Sequence, residues 1–463
     1  MTSQSLTPKP EESVSEDIDL GSTQISDRLE AEKQKIQDLR KTWEIQELVA
    51  QFNKSLFGIS RFIRNRESLL RQSQYALLTA EHQLIISGPG RGKSLYSDAL
   101  FRIFPGESVF SMQFSRTTRE DEVFGSPILD KLKEGSVIRN LAGSIVDARF
   151  ARLDELLDAN MWLLRSLHGV FHERKFSKGQ QEEDAKLHTA IATTNRFVEG
   201  QELEAFSDRW LYQSTVPSSS QFVERNAVDR TFNEHRGNVH LDRADFFDYQ
   251  QLLYLTEIAT GKVPELKITT PPEIRFLKNL LIREYEEQIQ SKQKEAEFNY
   301  FPVTNRTSAK AINHLNATAL LRGRSTVTAY DLLDLRYLIS RVYCEKSQSA
   351  FDSAVKKVLS QRNVFTNNDI GAIKALEEAV DLVDETFMLR LQGVSLDRTL
   401  VERIKKFLHL ATDTTLTFGK FLKKIKELNI NHESVKEYRD ECVQYITEKM
   451  SIFSFDAESK LFE

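Results

Sequence analysis

A glycine-rich turn lies between a short apolar run and an amphipathic segment, in the stretch HQLIISGPGRGKSLYSDAL from His82 to Leu100. The apolar residues LII favour a buried strand, and the residues after the turn have the spacing of a helix with one buried face. A strand that enters a helix through small residues gathers backbone N–H groups at the helix N-terminus, where an anion is stabilised. This local order predicts an α/β fold with a phosphate-binding loop.

The turn itself, GPGRGKS, contains each residue type that a phosphate cradle requires. Its glycines allow close approach, Lys93 can reach the outer phosphates, and Ser94 can bind Mg²⁺ through its hydroxyl. The full pattern G-x-x-x-x-G-K-[ST] begins with a glycine where this chain has Ser87, which is still small. Arg91 is expected to be a solvated, variable position. The alternative interpretation is a glycine-containing loop with no ligand. The predicted nucleotide-binding residues are Gly88, Pro89, Gly90, Arg91, Gly92, Lys93, Ser94 and Leu95.

Two adjacent carboxylates follow a partly apolar run in FARLDELLDAN. Transfer of a γ-phosphate to water needs one acidic group that supports Mg²⁺ and a second that polarises the attacking water. We assign these roles to Asp154 and Glu155, with Ser94 as the other metal ligand. The alternative is a capped helix start with an acidic first turn. Arg149 and Arg152 are unusual here, because a central parallel strand is normally apolar throughout. The strand is therefore expected to be partly exposed or reshaped.

Three polar residues further along the chain complete the candidate catalytic set with Glu155. Asn195 follows the apolar run HTAIATT, and its amide can hold a water between a carboxylate and a phosphate. Arg209 in LEAFSDRW and Arg306 in VTNRTSAKAINHL can stabilise charge on a transferring phosphoryl group. Each arginine alone would be interpreted as a surface ion-pair residue. Their order after the loop and the carboxylates favours a catalytic role.

The order of elements along the chain predicts several structural parts. Between Glu81 and Arg209, β-like runs alternate with helical stretches, which is typical of a parallel sheet covered by helices. Beyond about Asp242 amphipathic helices dominate, and Gly323 is expected to cap one of them. The predicted parts are an acidic disordered tail at 1–27, an α/β nucleotide-binding domain with N-terminal helices at 28–241, an all-α lid at 242–345 and a helical C-terminal extension of unknown role at 346–463.

Charge and cysteine content disfavour several classes of function. The 463 residues carry a formal net charge of −5 at pH 7, which gives no global attraction to nucleic acid. The two cysteines, Cys344 and Cys442, are far apart and indicate neither a disulfide framework nor a zinc site. The sequence has no apolar run of about 18 residues and no basic-then-apolar secretion signal at its start. We therefore expect a cytoplasmic protein with no membrane span.

Over about 48–341 the sequence resembles the AAA+ ATPases of the MoxR family, and most closely their RavA-like branch. The most specific block is FSRTTREDEVFGSPILDKLKEGSVIRNLAGSIVDARFARLDELLDANMWLLRSLHGVFHERKFSKG, with its FG turn, LDE core and ERxF hairpin entry. The resemblance implies that 88–94 form Walker A, that Asp154 and Glu155 form Walker B and that Asn195 is sensor 1. Arg209 corresponds to the arginine finger and Arg306 to sensor 2.

The same resemblance implies two insertions that project toward an axial pore. One falls at about 127–146 in helix 2. The other is a hairpin before sensor 1, at about 174–187, where the segment KFSKGQQEEDAKLH has Gly179 at its expected tip.

The function that the resemblance implies is ATP hydrolysis with Mg²⁺ in a ring, expected to be a hexamer. Arg209 would act in trans on the neighbouring subunit, and Arg306 in cis on the nucleotide of its own subunit. Relatives are thought to act as chaperones that remodel or mature protein clients, commonly with a von Willebrand factor A domain protein. Two alternatives stay open: a nucleic-acid-directed motor, for which the mixed charge of the hairpin is unfavourable, and an ATP-binding scaffold with weak hydrolysis.

Overall fold

The computed structural model describes residues 44–195, 206, 208–217, 221–292, 303–392, 396–410 and 417–452. They form a five-stranded parallel sheet flanked by helices, then a helical C-terminal region. This architecture confirms the predicted α/β fold class. The predicted tail at 1–27 lies outside the described residues. The strands in chain order are β1 (Gln83–Ile86), β2 (Val109–Gln113), β3 (Phe150–Asp154), β4 (Lys175–Lys178), β5 (Gln181–Asp184), β6 (Thr189–Thr194) and β7 (Tyr212–Thr215).

The parallel sheet has the strand order β2-β3-β6-β1-β7. In its register Ile86 lies beside Thr194 on one side and beside Thr215 on the other. The residues that follow these strands therefore meet at one edge, the C-terminal edge of the sheet. The residues that precede β1 and β7 meet at the opposite edge, because Gln83 lies beside Tyr212.

Helices cover the sheet and form the region after it. Their bounds follow the apolar spacing of the sequence, and the strand and helix on either side of the glycine turn are present as predicted. The helices in chain order are α1 (Ile45–Gly58), α2 (Glu67–Leu78), α3 (Lys93–Phe101), α4 (Glu120–Phe124), α5 (Leu129–Lys133), α6 (Met161–Ser166), α7 (Phe222–His235), α8 (Tyr249–Ala259), α9 (Pro272–Lys292), α10 (Asn305–Leu321), α11 (Glu345–Arg362), α12 (Asn367–Leu391), α13 (Arg398–Phe407), α14 (Phe418–Lys426) and α15 (Glu433–Ser451).

Two hydrophobic cores lie on the two faces of the sheet, because successive strand residues point to opposite sides. Ile85 and Phe150 belong to the core that contains α1, α2 and α8 to α11. Leu84 and Leu153 belong to the other core, which contains the segments around α4 and α6. Both faces of β1 are therefore buried, and the phosphate loop starts from a rigid strand.

The two arginines of the third strand do not reshape it. β3 pairs with β2 and with β6 in regular parallel register. Arg152 is partly exposed above α3 and lies 3.4 Å from Asp98. Arg149 precedes the strand and lies over the ring of Tyr249, 5.2 Å from its centroid. Partial exposure at Arg152 is thus as predicted, whereas the alternative of a reshaped strand is wrong.

The predicted hairpin is present as β4 and β5, which pair antiparallel, with Gly179 at the tip in a left-handed conformation. Lys178 of the hairpin makes an ion pair with Glu120 of α4. The segment at 127–146 contains α5 and a bridge that joins Pro127 to Arg139. The hairpin and this segment are therefore both anchored near α4.

The helices after the sheet divide between two cores. Helices α8 to α11 pack into the large core, where α9 contacts α11. Helices α12 to α15 enclose a smaller core that contains Leu382, Phe421 and Ile446. Gly323 follows α10 with φ +67°, and its N–H donates to Leu320 O, which confirms the expected cap. Within the described ranges no helix is both long and apolar enough to cross a membrane.

Candidate functional site

The glycine turn connects β1 to α3 at the C-terminal edge of the sheet. Ser87 N–H donates to Thr194 O at 2.9 Å, which continues the pairing of β1 with β6 past the end of the strand. Gly90 and Gly92 have φ values of +71° and +73°. These left-handed conformations strain residues that carry a Cβ, so glycine is required at both positions. The first turn of α3 follows at Lys93.

Lys93 lies at the centre of this edge, with its side chain only 9% exposed. Its Nζ donates to Ser87 O at 2.7 Å and to Thr194 O at 3.3 Å. Glu155 Oε1 lies 3.5 Å from the same ammonium group. The structure therefore brings the lysine of the turn and the second carboxylate together, as the sequence predicts.

The two carboxylates of β3 have different partners. Asp154 Oδ1 accepts a hydrogen bond from Thr193 Oγ1 at 3.0 Å. Glu155 Oε2 accepts one from the backbone N–H of Asn195 at 3.1 Å. Glu155 also has φ +53°, a left-handed conformation that is uncommon outside glycine and is concentrated at functional sites. Asp154, Glu155 and Asn195 are thus placed at one edge by adjacent strands.

The residues present fit a magnesium ion bound together with phosphates. Ser94 exposes its hydroxyl in the first turn of α3, and Asp154 supplies a carboxylate. Mg²⁺ typically uses one or two such protein ligands and completes its shell with waters and phosphate oxygens. Among the described residues, no group of three or more His, Cys, Asp and Glu side chains could hold a metal ion.

A cavity of about 470 Å³ opens beside the glycine turn, and sequence reasoning did not find it. Its apolar wall includes Phe62, Leu95 and Phe232. Arg64 Nε donates to Thr231 Oγ1 at 3.0 Å, which joins the segment before α2 to α7. The volume suits a nucleoside-sized group. Gly90, Arg91 and Gly92 also line the cavity and were predicted with Leu95, whereas Phe62 and Phe232 were not, because they come from segments far apart in the chain.

Arg91 is not the solvated residue that the sequence suggested. Its Nη1 donates to Val216 O at 2.6 Å, at the end of β7. A Cβ added at Gly88 would lie 3.1 Å from Arg91 Nη2, so the guanidinium folds back over the turn. Arg91 therefore ties the phosphate loop to β7.

Arg209 and Arg306 lie at the opposite edge of the sheet. Arg209 precedes Tyr212, the first residue of β7, which pairs with the first residue of β1. Arg306 Nη1 donates to Asp208 Oδ2 at 2.6 Å. Lys310, one turn further along α10, pairs at 2.7 Å with Glu81, which precedes β1.

This placement bears on the expectation that Arg306 acts in cis on the nucleotide of its own subunit. The four residues of β1, at about 3.3 Å each, separate the two edges by about 13 Å. The contacts of Arg306 are with residues of its own edge, and none with Lys93 or Glu155 occurs among the described residues. The position of Arg209 is compatible with the predicted action in trans.

Comparison with known proteins agrees with this geometry. Residues 50–233 match a family model described as the MoxR domain in the MoxR-vWA-beta-propeller ternary systems. A solved structure from Cytophaga hutchinsonii, described as a "putative ATPase", superposes with a TM-score of 0.52 at 15% identity, over 70% of this chain and 98% of that one. The family match shows that residues 50–233 resemble a MoxR domain, and the solved structure shows that the fold is shared.

Two curated relatives come from Methanocaldococcus jannaschii. Uncharacterized protein MJ0812 is 27% identical over 210 residues, which is 45% of this chain and 56% of the relative. Uncharacterized protein MJ0079 is 30% identical over 158 residues, which is 34% of this chain and 41% of the relative. The chain thus spans about half the length of the curated relatives it matches.

Proposed function

We propose that this chain hydrolyses ATP with Mg²⁺, as one subunit of a ring whose sites are shared between neighbours. The observation that carries the proposal is the convergence of Lys93, Asp154, Glu155 and Asn195 at one edge of the sheet. The arginines that would complete the site lie at the other edge.

The nucleotide would be held by groups of the loop and the adjoining cavity. Backbone N–H groups of 90–94 and the Lys93 ammonium bind the phosphates, while the base and ribose enter the cavity lined by Phe62 and Phe232. When bound, Mg²⁺ neutralises phosphate charge, with Ser94 and Asp154 as its protein ligands. Thr193 fixes the Asp154 carboxylate by hydrogen bonding to it at 3.0 Å.

Glu155 is the residue that activates water in this proposal. Its carboxylate is held between the Asn195 N–H and the Lys93 ammonium. The carboxylate held in this way polarises a water for in-line attack on the γ-phosphate. Asn195 positions the same water through its side-chain amide.

Arg209 and Arg306 would reach the phosphates of the neighbouring subunit, so we propose that both act in trans. A separation of about 13 Å from the edge of its own loop leaves neither arginine in contact with its own nucleotide. A closed ring with a heterologous interface presents this edge to the next phosphate loop. The expected ring is a hexamer, as the family resemblance implies.

The wider role that we propose is chaperone-like remodelling or maturation of a protein client, in the RavA-like manner. The matching family model names MoxR domains that occur in ternary systems with von Willebrand factor A and β-propeller proteins. A von Willebrand factor A domain protein is therefore the partner that we propose for this chain.

The alternatives gain no support from the geometry. A decayed scaffold was suggested only by the arginines near β3, yet that strand is regular and Arg152 is paired with Asp98. A nucleic-acid motor would need a basic pore segment. In the hairpin, Lys175 is instead neutralised by Glu182 at 3.0 Å.

The test measures ATP turnover per subunit over a range of protein concentrations. We expect turnover to rise with concentration as rings form, and to be abolished in Lys93→Ala and Glu155→Gln. Arg209→Ala should bind ATP normally and lose turnover by about 10³-fold or more. Turnover that is independent of concentration and survives Arg209→Ala would refute the shared site.

A further inference from the structure

Two histidines lie in a short turn beside the arginines of the opposite edge. The turn Gly169–Glu173 is π-helical, a rare conformation that is frequent at functional sites. A Cβ at Gly169 would lie 2.8 Å from Lys175 O, so the strand β4 passes directly against the turn. His168 precedes the turn, and His172 lies within it. The hairpin thus fixes the backbone that carries both imidazoles.

His172 is in contact with Arg306. The two groups approach at 3.5 Å between His172 Nε2 and Arg306 Nη2. An arginine can only donate, so this contact is a hydrogen bond when Nε2 accepts, which requires a neutral imidazole with its proton on Nδ1. Asp208 Oδ2 accepts from the other end of the guanidinium at 2.6 Å. Arg306 is therefore oriented from two sides, by a carboxylate and by an imidazole.

His168 stacks on Phe206, with 5.5 Å between the ring centroids and an interplanar angle of 22°. Its Nε2 is buried and has no hydrogen-bond partner in the part of the chain that the structure describes. A buried polar atom without a partner costs free energy, unless a ligand or a neighbouring molecule completes its bonding. His168 therefore has a donor or acceptor position left for such a group.

The electrostatics of this edge favour an anion. Burial lowers the pKa of Arg209, and the positive charge of Arg306 lowers it further, while Asp208 opposes the change. Burial and then Arg209 lower the pKa of His168 to about 4. Two arginines and two imidazoles are held together here, and Asp208 is the carboxylate that contacts Arg306. A phosphate oxygen would relieve the repulsion between the arginines.

We propose that His168 and His172 belong, with Arg209 and Arg306, to one surface that receives the terminal phosphate of ATP bound by the neighbouring subunit. His172 is a positioning residue, which orients Arg306 through its hydrogen bond. His168 donates from Nε2–H to a phosphate oxygen when the neighbouring subunit docks, which requires the ring that is now buried against Phe206 to turn outward. The inference rests on the proposed ATPase function and adds two residues of this chain to the shared site.

The arrangement makes turnover sensitive to acid. Protonation of His172 removes the acceptor and adds a positive charge facing Arg306 and Lys310 of α10, Arg209 before β7, and Glu173 of its own turn. Burial and then Arg306 hold the pKa of His172 below its usual 6.5. The neutral form therefore prevails at neutral pH, and Arg306 is released as pH falls through this lowered pKa.

The first experiment measures ATP turnover against pH for wild type, His172→Gln, His172→Ala and His168→Ala. Glutamine keeps an acceptor and does not titrate, so His172→Gln should retain neutral-pH turnover and lose the acid inflection. His172→Ala should lose about 10- to 100-fold in kcat, as expected when a charged group loses a hydrogen bond, with little change in KM. His240→Ala, at an exposed histidine elsewhere, is the matched control and should behave as wild type.

The second experiment measures assembly of the subunits instead of ATP turnover. In the Glu155→Gln background, ATP should drive self-association, which sedimentation velocity measures. Adding His168→Ala should raise the protein concentration needed for assembly by about tenfold or more, because the bond to the neighbour's phosphate is lost. Adding His240→Ala should not change it.

The outcomes separate this inference from the proposed function. If Arg209→Ala and Arg306→Ala abolish turnover while both histidine variants match wild type in turnover, pH profile and assembly, the inference is overturned and the shared ATPase stands. If wild type neither binds ATP nor assembles with it, both fail.

Discussion

The separation of the two edges of the sheet predicts that two inactive variants will restore each other. An Arg209→Ala subunit keeps a complete phosphate loop but offers no finger to its neighbour. A Lys93→Ala subunit keeps its finger but cannot hold the phosphates of its own ATP. If the arginine acts across the subunit interface, a mixed ring contains complete sites. Each one forms where the intact phosphate loop of an Arg209→Ala subunit faces the intact Arg209 of a Lys93→Ala subunit.

The distance between the two edges of the sheet decides how much ATP turnover Arg209→Ala must lose. At about 13 Å, the attraction between a unit positive charge and a unit negative charge is about 0.3 kcal/mol at ε ≈ 80 and about 1.3 kcal/mol at ε ≈ 20. Acting in cis from that distance, Arg209 could thus change turnover by at most about ninefold. A finger in direct contact with the transferring phosphoryl group contributes about 10³- to 10⁵-fold. A loss of the larger size in Arg209→Ala therefore requires contact, which under the proposed function the neighbouring subunit would make.

The assay mixes the two variants at equal concentration after dissociation and measures steady-state ATP turnover. Random assembly leaves about a quarter of the interfaces complete, so about a quarter of wild-type turnover should return. A mixture of Lys93→Ala with Glu155→Gln is the control, because both changes disable the same edge and no complete site can form. The reasoning is refuted if the first mixture stays as inactive as each variant alone.

Three further predictions follow from particular side chains. Phe232 lies in the cavity wall, so Phe232→Ala should lose contact with the base and weaken binding of a fluorescent ATP analogue by about tenfold. Phe222 is on the same helix but outside the cavity, so Phe222→Ala should leave the affinity unchanged. Phe150 stacks on Phe101 and Phe104, with ring centroids 4.8 and 4.9 Å away. Phe150→Ala should therefore lower the free energy of unfolding by about 3–5 kcal/mol in urea titrations, and a decrease below about 1 kcal/mol would contradict this packing. Burial would raise the pKa of Asp369, but hydrogen bonds led by the His432 N–H lower it to about 2. A carboxylate with a lowered pKa stabilises the fold above its pKa in the unfolded chain, and this stabilisation is lost as the pH falls through its pKa in the folded chain. Asp369→Asn should therefore lower the free energy of unfolding by about 2 kcal/mol at pH 7, and by progressively less between about pH 4 and pH 2, in denaturation curves.

The phosphate loop and its carboxylates could be predicted from sequence because their chemistry depends on local order. A phosphate needs consecutive N–H groups, so Gly90, Gly92 and Lys93 must be close in the chain. Asp154 and Glu155 follow a strand, and Asn195 follows the neighbouring strand. Parallel strands place their carboxyl ends at one edge, which brings these separate residues together without further information.

The rest depends on which segments pack together, which no short pattern encodes. The cavity wall joins Phe62, before α2, to Phe232, on α7. Arg306 has the sequence context of a residue that serves its own nucleotide, yet Asp208 and His172 hold it at the far edge. The two histidines carry no motif of their own. Only the turn fixed by Gly169 brings them to these arginines.

The helical region contacts both edges of the sheet, and this is the physical basis on which hydrolysis could become motion. At the loop edge, α7 forms the cavity wall and is bonded to Arg64 at 3.0 Å. At the far edge, Thr304 and Arg306 bind Asp208, and Lys310 pairs with Glu81. Between them, α8 packs on α10 and on α2 in one core. Under the proposed function, a nucleotide bound in this cavity would therefore be connected, through Arg64, α2 and α8, to the helix that carries Arg306.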